Sequence, residues 1–269
     1  MECSTAHAAI PWLVAYWILK VVLSPIFFLL WRVKVEGREH IPVHGPAVLA
    51  ANHQSFCDSF FLPLVLRRRV TYVAKAEYFD SWKTAWFFRA AGQIPMSRSG
   101  GDASQRALDT ATAVLDAGHL LGIYPEGTRA PDLRLHRGHT GVARLSLRCD
   151  VPVIPVGITG TRAVQPPGSR LMRPFHTVTI RFGPPVTYLH AGETVVTGQC
   201  GEPGGTGEPA SSRGTARRDL DQAELRCLTD ALMTAIARLS GQEYVDRYAG
   251  RGHAATTTGG DRVPRAPAV

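Results

Sequence analysis

The sequence predicts an α/β domain with a central, mixed and partly parallel sheet flanked by helices, preceded by an apolar helical segment at the N-terminus. Three observations carry this. Between about residues 33 and 190, short β-rich runs alternate with stretches whose apolar residues recur at helical spacing. Of the 269 residues 45% are hydrophobic, yet the mean hydropathy is only −0.04, which excludes both a polytopic membrane protein and a wholly disordered chain. Finally, residues 12–31 hold 17 apolar residues out of 20.

That first run is interrupted by Lys20, Ser24 and Pro25. A span needs about 20 apolar residues, so its length is just sufficient. Pro25 removes a helical hydrogen bond and argues against a straight span, so two short helices meeting near Ser24-Pro25 within one leaflet are an equal expectation. The run lacks the basic n-region and small-residue cleavage site of a cleaved leader. Arg32, Lys34 and Arg38 follow directly, which predicts a membrane-associated segment over 1–32 with the rest of the protein on the cytoplasmic face.

In the α/β region, over 33–190, strands are predicted at 47–50, 70–73, 120–124, 153–156 and 177–182. Pro155 places the fourth of these at an edge or strand end. Helices are predicted from Asp58 to about 66, over 102–117 and over 140–148, each with one apolar face. Residues 191–217 are rich in Gly, Pro, Ser, Thr and Glu and read as a flexible insert. Within 218–249 a helix resumes, with Leu225, Leu228, Leu232, Ile236 and Leu239 in one stripe that packs onto the core. The tail over 250–269 reads as disordered.

The net charge of +8 is unevenly spread: residues 1–31 carry 0, 32–98 carry +5, 99–190 carry +4 and 191–269 carry −1. The excess therefore sits in the α/β region and not in a basic tail of the nucleic-acid-binding kind; phosphates or an anionic membrane surface are its expected targets. Five widely spaced cysteines without a CxxC pair form neither a disulfide framework nor a zinc site, which fits a reducing compartment.

Four clusters carry chemistry. The first, Asn52-His53-Gln54-Ser55-Phe56-Cys57-Asp58, follows a predicted strand. Within one helix, residues five apart lie about 140° from each other, so His53 and Asp58 cannot share a helical face. With His53 in a loop and Asp58 in the first helical turn, the carboxylate can hold Nδ1–H and leave Nε2 to take a proton from a hydroxyl. Alone, the same spacing also describes a structural histidine beside a helix-capping aspartate. The second cluster, Tyr124-Pro125-Glu126-Gly127-Thr128-Arg129, combines a glycine turn, a hydroxyl and a planar guanidinium suited to phosphate; a solvated turn is the plainer reading. The third runs from Gly92 to Arg98, and the fourth is Val153-Ile154-Pro155-Val156.

Together, in this order and at these separations, the four clusters resemble the lysophosphatidic acid acyltransferases of the glycerolipid acyltransferase superfamily. His53 and Asp58 match the NHxxxxD motif, Gly92 to Arg98 the G-x-I-x-x-x-R block, Tyr124 to Arg129 the F-P-E-G-T-R-S block and 153–156 the V-x-P-V strand. Ala74-Lys75-Ala76-Glu77 is similar to the A-K-x-E-L element, and Arg137-Gly138 to a basic-Gly step. Tyr124 stands where Phe is usual, a mild change at an apolar position; Ala130 replaces Ser, and Tyr78 replaces Leu.

The resemblance implies transfer of an acyl group from acyl-CoA or acyl carrier protein to 1-acylglycerol 3-phosphate, giving phosphatidic acid. His53 and Asp58 would be catalytic, with no covalent intermediate, cofactor or metal. Asn52, Lys75, Arg98, Glu126, Gly127, Thr128 and Arg129 would bind substrate, with backbone N–H groups near Gly127 facing the oxyanion. Membrane lipids, and not nucleic acid, would be the partners. Three alternatives stay open: another lysolipid or glycerol 3-phosphate as acceptor, a thioesterase in which His53 activates water, and a non-catalytic lipid-binding protein. Arg98 and Arg129 speak against the thioesterase, and the His/Asp pair against the last. No G-x-S-x-G and no Walker-type motif occurs.

Overall fold

The computed structural model describes residues 3–75, 79–81, 85–86, 88–89, 93–96, 103–169, 171–186 and 221–250. Its strands are β1 (Arg32–Glu36), β2 (Ala47–Ala51), β3 (Val70–Lys75), β4 (Ile94–Met96), β5 (Leu120–Ile123), β6 (Leu135–His136), β7 (Val153–Thr159), β8 (Thr177–Phe182) and β9 (Tyr244–Val245). The helices are α1 (Cys3–Leu30), α2 (Asp58–Val65), α3 (Ala103–Asp116), α4 (Gly141–Cys149), α5 (Thr161–Val164) and α6 (Gln222–Ser240). Seven strands form one sheet in the order β1-β8-β7-β2-β5-β3-β4, while β6 and β9 pair separately. Only the β7–β8 pairing is antiparallel, so the sheet is mixed and mostly parallel, as the sequence predicts.

Central strands read as continuous apolar runs because both their faces are covered. Every residue of β2, Ala47-Val48-Leu49-Ala50-Ala51, is buried. Alternate β2 side chains enter two cores: Leu49 joins Phe61, Tyr72 and Ile158 on one face, and Val48 joins Leu115, Leu145 and Ile236 on the other. Of the C-terminal stripe, Leu225, Leu232 and Ile236 are buried, and Leu228 and Leu239 are half-buried. Helix α6 lies so close to β7 that a Cβ on Gly157 would come within 2.5 Å of the Leu239 carbonyl carbon, which only glycine permits.

Two expectations are corrected. Pro155 lies in a strand with neighbours on both sides, not at a sheet edge. It is tolerated because the antiparallel ladder is irregular there: between the pairs Val153↔Val186 and Val156↔Phe182, two residues of β7 oppose three, a bulge at which the missing N–H costs no ladder bond. In the N-terminal segment, α1 runs as one helix through Pro25, not as two short helices. Its C-terminal end is held by Trp31 and Phe27, which pack against Phe61 of α2 with ring centroids 5.6 and 5.2 Å away. Among the described residues, no helix is long and apolar enough to cross a membrane. The predicted insert over 191–217 and the tail beyond residue 250 lie outside the described residues.

Candidate active site

The turn from β2 into α2 carries the His/Asp pair. Its first residue, Asn52, is wholly buried, and its amide donates to Ile158 O (2.8 Å) and Gln242 Oε1 (2.6 Å) and accepts from Ile158 N–H (2.7 Å). Asn52, expected to bind substrate, joins β2 to β7 and the C-terminal segment through these bonds, which engage both of its amide hydrogens. Asp58 opens α2 with its side chain fully buried, and its Oδ2 accepts from Gln54 N–H (2.8 Å), Ser55 N–H (2.9 Å) and His53 Nδ1–H (2.9 Å). One carboxylate oxygen thus closes the turn and sets the tautomer. With Nδ1 protonated, the free nitrogen is Nε2, on a ring that lines the main cavity.

A second carboxylate braces the same turn from behind. Glu126 is 2% exposed; its Oε2 accepts from His53 N–H (3.0 Å) and its Oε1 from His136 N–H (2.9 Å). Burial raises its pKa from the usual 4.5 to about 7, outweighing the two N–H donors that favour the anion. Both oxygens are turned to main chain, so Glu126 holds the loop, whereas the sequence placed it among substrate ligands. The His53 carbonyl is fixed too, by Ala130 N–H at 2.8 Å. Gly127 turns the chain at φ 70°, and its N–H donates to Tyr124 O at 3.0 Å. Neither Thr128 nor Arg129 makes a main-chain N–H bond to a described residue.

The imidazole lies flat on Tyr124, with ring centroids 3.9 Å apart and planes 11° from parallel. The Tyr124 hydroxyl is paired with Ser59 Oγ at 3.0 Å. Tyr124 is therefore not the purely apolar substitute that the motif position implies. Burial pushes its ionisation well upward, so it stays a neutral phenol. The neighbouring thiol of Cys57 is pushed up to about 12 by burial, which leaves no nucleophilic sulfur beside His53.

These groups sit on a cavity of about 860 Å³, a volume typical of small-ligand sites. Its lining combines polar groups, His53, Thr128, Arg129 and His139, with apolar ones, Phe56, Phe60, Leu108, Ala111 and Leu145. Arg129 is exposed at this wall. Arg98 lies outside the described residues, and Lys75 is placed only by its backbone at the end of β3.

Several residues of the site have no motif to announce them. After α6 the chain returns to it: Gln242 reaches Asn52, β9 pairs in parallel with β6, and Tyr248 stacks on His139 (4.7 Å, 13°) at the cavity wall. This segment lies over 100 residues from Arg129, and its polar residues read as an ordinary helix end. Tyr124 alone left a trace, as a departure from the motif.

A buried carboxylate behind a histidine, beside an exposed arginine on a cavity with many apolar side chains, can present a general base to a ligand that has both polar and apolar parts. Residues 32–159 match the family model described as Acyltransferase. The chain is 30% identical over 144 residues to the 1-acyl-sn-glycerol-3-phosphate acyltransferase of Bacillus subtilis, covering 53% of this chain and 68% of that one. A chloroplastic enzyme of the same description from Arabidopsis thaliana is 29% identical over 155 residues, covering 57% of this chain and 43% of its own. The crystal structure of the 1-acyl-sn-glycerophosphate acyltransferase of Thermotoga maritima superposes with a TM-score of 0.55 at 27% identity, covering 70% of this chain and 73% of the other. The protein belongs to the 1-acyl-sn-glycerol-3-phosphate acyltransferase family. It spans about half the length of the plant relatives it matches.

Proposed function

We propose that the protein moves a fatty acyl group from the thioester of CoA or acyl carrier protein to the free hydroxyl of 1-acylglycerol 3-phosphate, forming phosphatidic acid. The observation that carries this reading is the His53–Asp58 pair, 2.9 Å apart, with the imidazole on a cavity that apolar side chains also line.

His53 Nε2 takes the proton of the acceptor hydroxyl as its oxygen attacks the thioester carbonyl carbon, and Asp58 stabilises the imidazolium. The carbonyl oxygen becomes an oxyanion. Because the Gly127 N–H is committed to Tyr124 O, the N–H groups of Thr128 and Arg129 are its donors in this reading. The C–S bond then breaks, and the thiolate takes the proton back from His53. Arg129, with Lys75 and Arg98, neutralises the acceptor phosphate. The reaction needs no metal or cofactor, and the apolar side chains of the cavity lining take an acyl chain.

The protein works on a membrane, with its α/β domain on the cytoplasmic face. Ile18, Val21, Val22 and Leu29 of α1 are 54–81% exposed, an apolar surface suited to lying within one leaflet. Helix α2 joins this anchor to the cavity, since Phe61 packs on α1 while Phe60 lines the cavity.

The test is an acceptor screen with radiolabelled long-chain acyl-CoA, in detergent or vesicles. Labelled phosphatidic acid from 1-acylglycerol 3-phosphate is expected. Labelled free fatty acid as the main product, or preference for a lysolipid without a terminal phosphate, contradicts the proposal.

A further inference from the structure

We infer that Tyr124 is a positioning residue: its ring is the plate on which His53 lies, and it stabilises the imidazolium that His53 becomes during transfer. This deepens the preceding proposal and rests on His53 acting as general base. The first two residues of α2 divide the work. Asp58 holds the edge of the imidazole through Nδ1 at 2.9 Å, and Ser59 holds the ring beneath it through the Tyr124 hydroxyl at 3.0 Å. On the sheet side, Tyr72 stacks with Tyr124 at 5.6 Å and 19°. Tyr72 can lie there because its β5 partner is Gly122; a Cβ on Gly122 would come within 2.4 Å of the Tyr72 ring.

The charged and titratable groups around His53 are Asp58 and Tyr124 themselves, Glu126 on its main-chain N–H, Tyr72 behind Tyr124, and Arg129 and His139 on the lining of the same cavity. Of these, Asp58 and Tyr124 hydrogen-bond to or stack on the imidazole itself. At 3.9 Å and nearly parallel, the phenol face meets neutral imidazole by dispersion. When the ring gains a proton, the electron-rich face adds an attraction for the positive charge. The interaction strengthens as the transition state forms, and such a change raises kcat rather than substrate affinity.

Steady-state kinetics against pH on the full chain test this. Tyr124→Leu is expected to lower kcat about tenfold with little change in KM, and to move the acid limb of kcat/KM to lower pH by about half a unit or more. Tyr124→Phe, which keeps the ring face and loses the Ser59 tether, is expected to fall two- to threefold with the limb in place, roughly one hydrogen bond's worth. Mono-, tri- and pentafluorinated phenylalanine at position 124 keep the shape but progressively weaken the face, so kcat and the limb should fall stepwise. That series carries the test if Tyr124→Leu does not fold. A folded Tyr124→Leu with parental kcat and acid limb, or a fluorinated series without a trend, overturns the inference while leaving the proposed reaction intact. Parental turnover in His53→Ala overturns both.

Discussion

Among the described residues, two histidine–carboxylate pairs stand at the same distance, 2.9 Å, with opposite burial. In His53–Asp58 the carboxylate is fully buried and the imidazole is 16% exposed; in His136–Asp132 the imidazole is 3% exposed and the carboxylate 35%. A buried carboxylate behind an accessible ring orients it and leaves Nε2 for substrate. The reverse arrangement buries the ring, engages Nε2 with Asp132, and braces the loop that also carries Arg134. Glu126 joins the two pairs through the main-chain N–H groups of His53 and His136. At equal distance, the two pairs thus differ in which partner is accessible, and in the proposed function only the first leaves a ring nitrogen for substrate.

The comparison breaks most visibly at the first pair. His53→Ala should lower the transfer rate by about 10²-fold or more while the unfolding midpoint stays near that of the parent, measured with labelled acyl-CoA and by chemical denaturation. Next in size is Glu126→Ala, which leaves two buried N–H groups without acceptors; at ~1–3 kcal/mol each, a loss of about 3 kcal/mol in urea unfolding is expected, with reduced turnover because the His53 turn loosens. His136→Ala should cost about 2 kcal/mol of stability yet keep kcat within about threefold, the opposite of His53→Ala. Asp132→Asn, at a partly exposed position, should cost only about 0.5 kcal/mol.

Glu126 also gives the bracing loop a pH dependence. Its folded pKa lies above the unfolded value, so the folded state binds the proton more tightly. The resulting contribution to stability is fully present below about 4.5 and is lost as pH rises through about 7. Urea midpoints measured across that window should fall with increasing pH, and Glu126→Gln should flatten this part of the profile.

Much of the first pair is legible in the sequence. A strand of consecutive small apolar residues, a His in the following loop and an Asp at the next helix start together place Asp58 behind His53, because both are local. The bracing is not legible in the same way. Asn52 stands in the motif and looks like a ligand, but its partners Ile158 and Gln242 are 106 and 190 residues away and only the fold brings them near. Pro155 reads as an edge signal because periodicity does not reveal that the neighbouring ladder is interrupted opposite it. The single Pro25 reads as a break, whereas packing of Phe27 and Trp31 on α2 carries α1 through it. The Tyr124 substitution reads as mild until Ser59 is seen facing its hydroxyl.

The most direct test of the central claim, that His53 and Asp58 act as one general-base unit in acyl transfer to 1-acylglycerol 3-phosphate, is a double-mutant cycle on kcat. The rates of phosphatidic acid formation are compared for the parent, His53→Ala, Asp58→Asn and the combined variant. The account predicts that the combined variant is about as slow as His53→Ala alone, because Asp58 acts only through the imidazole. Losses that multiply across the cycle, or near-parental turnover in either single variant, would contradict it.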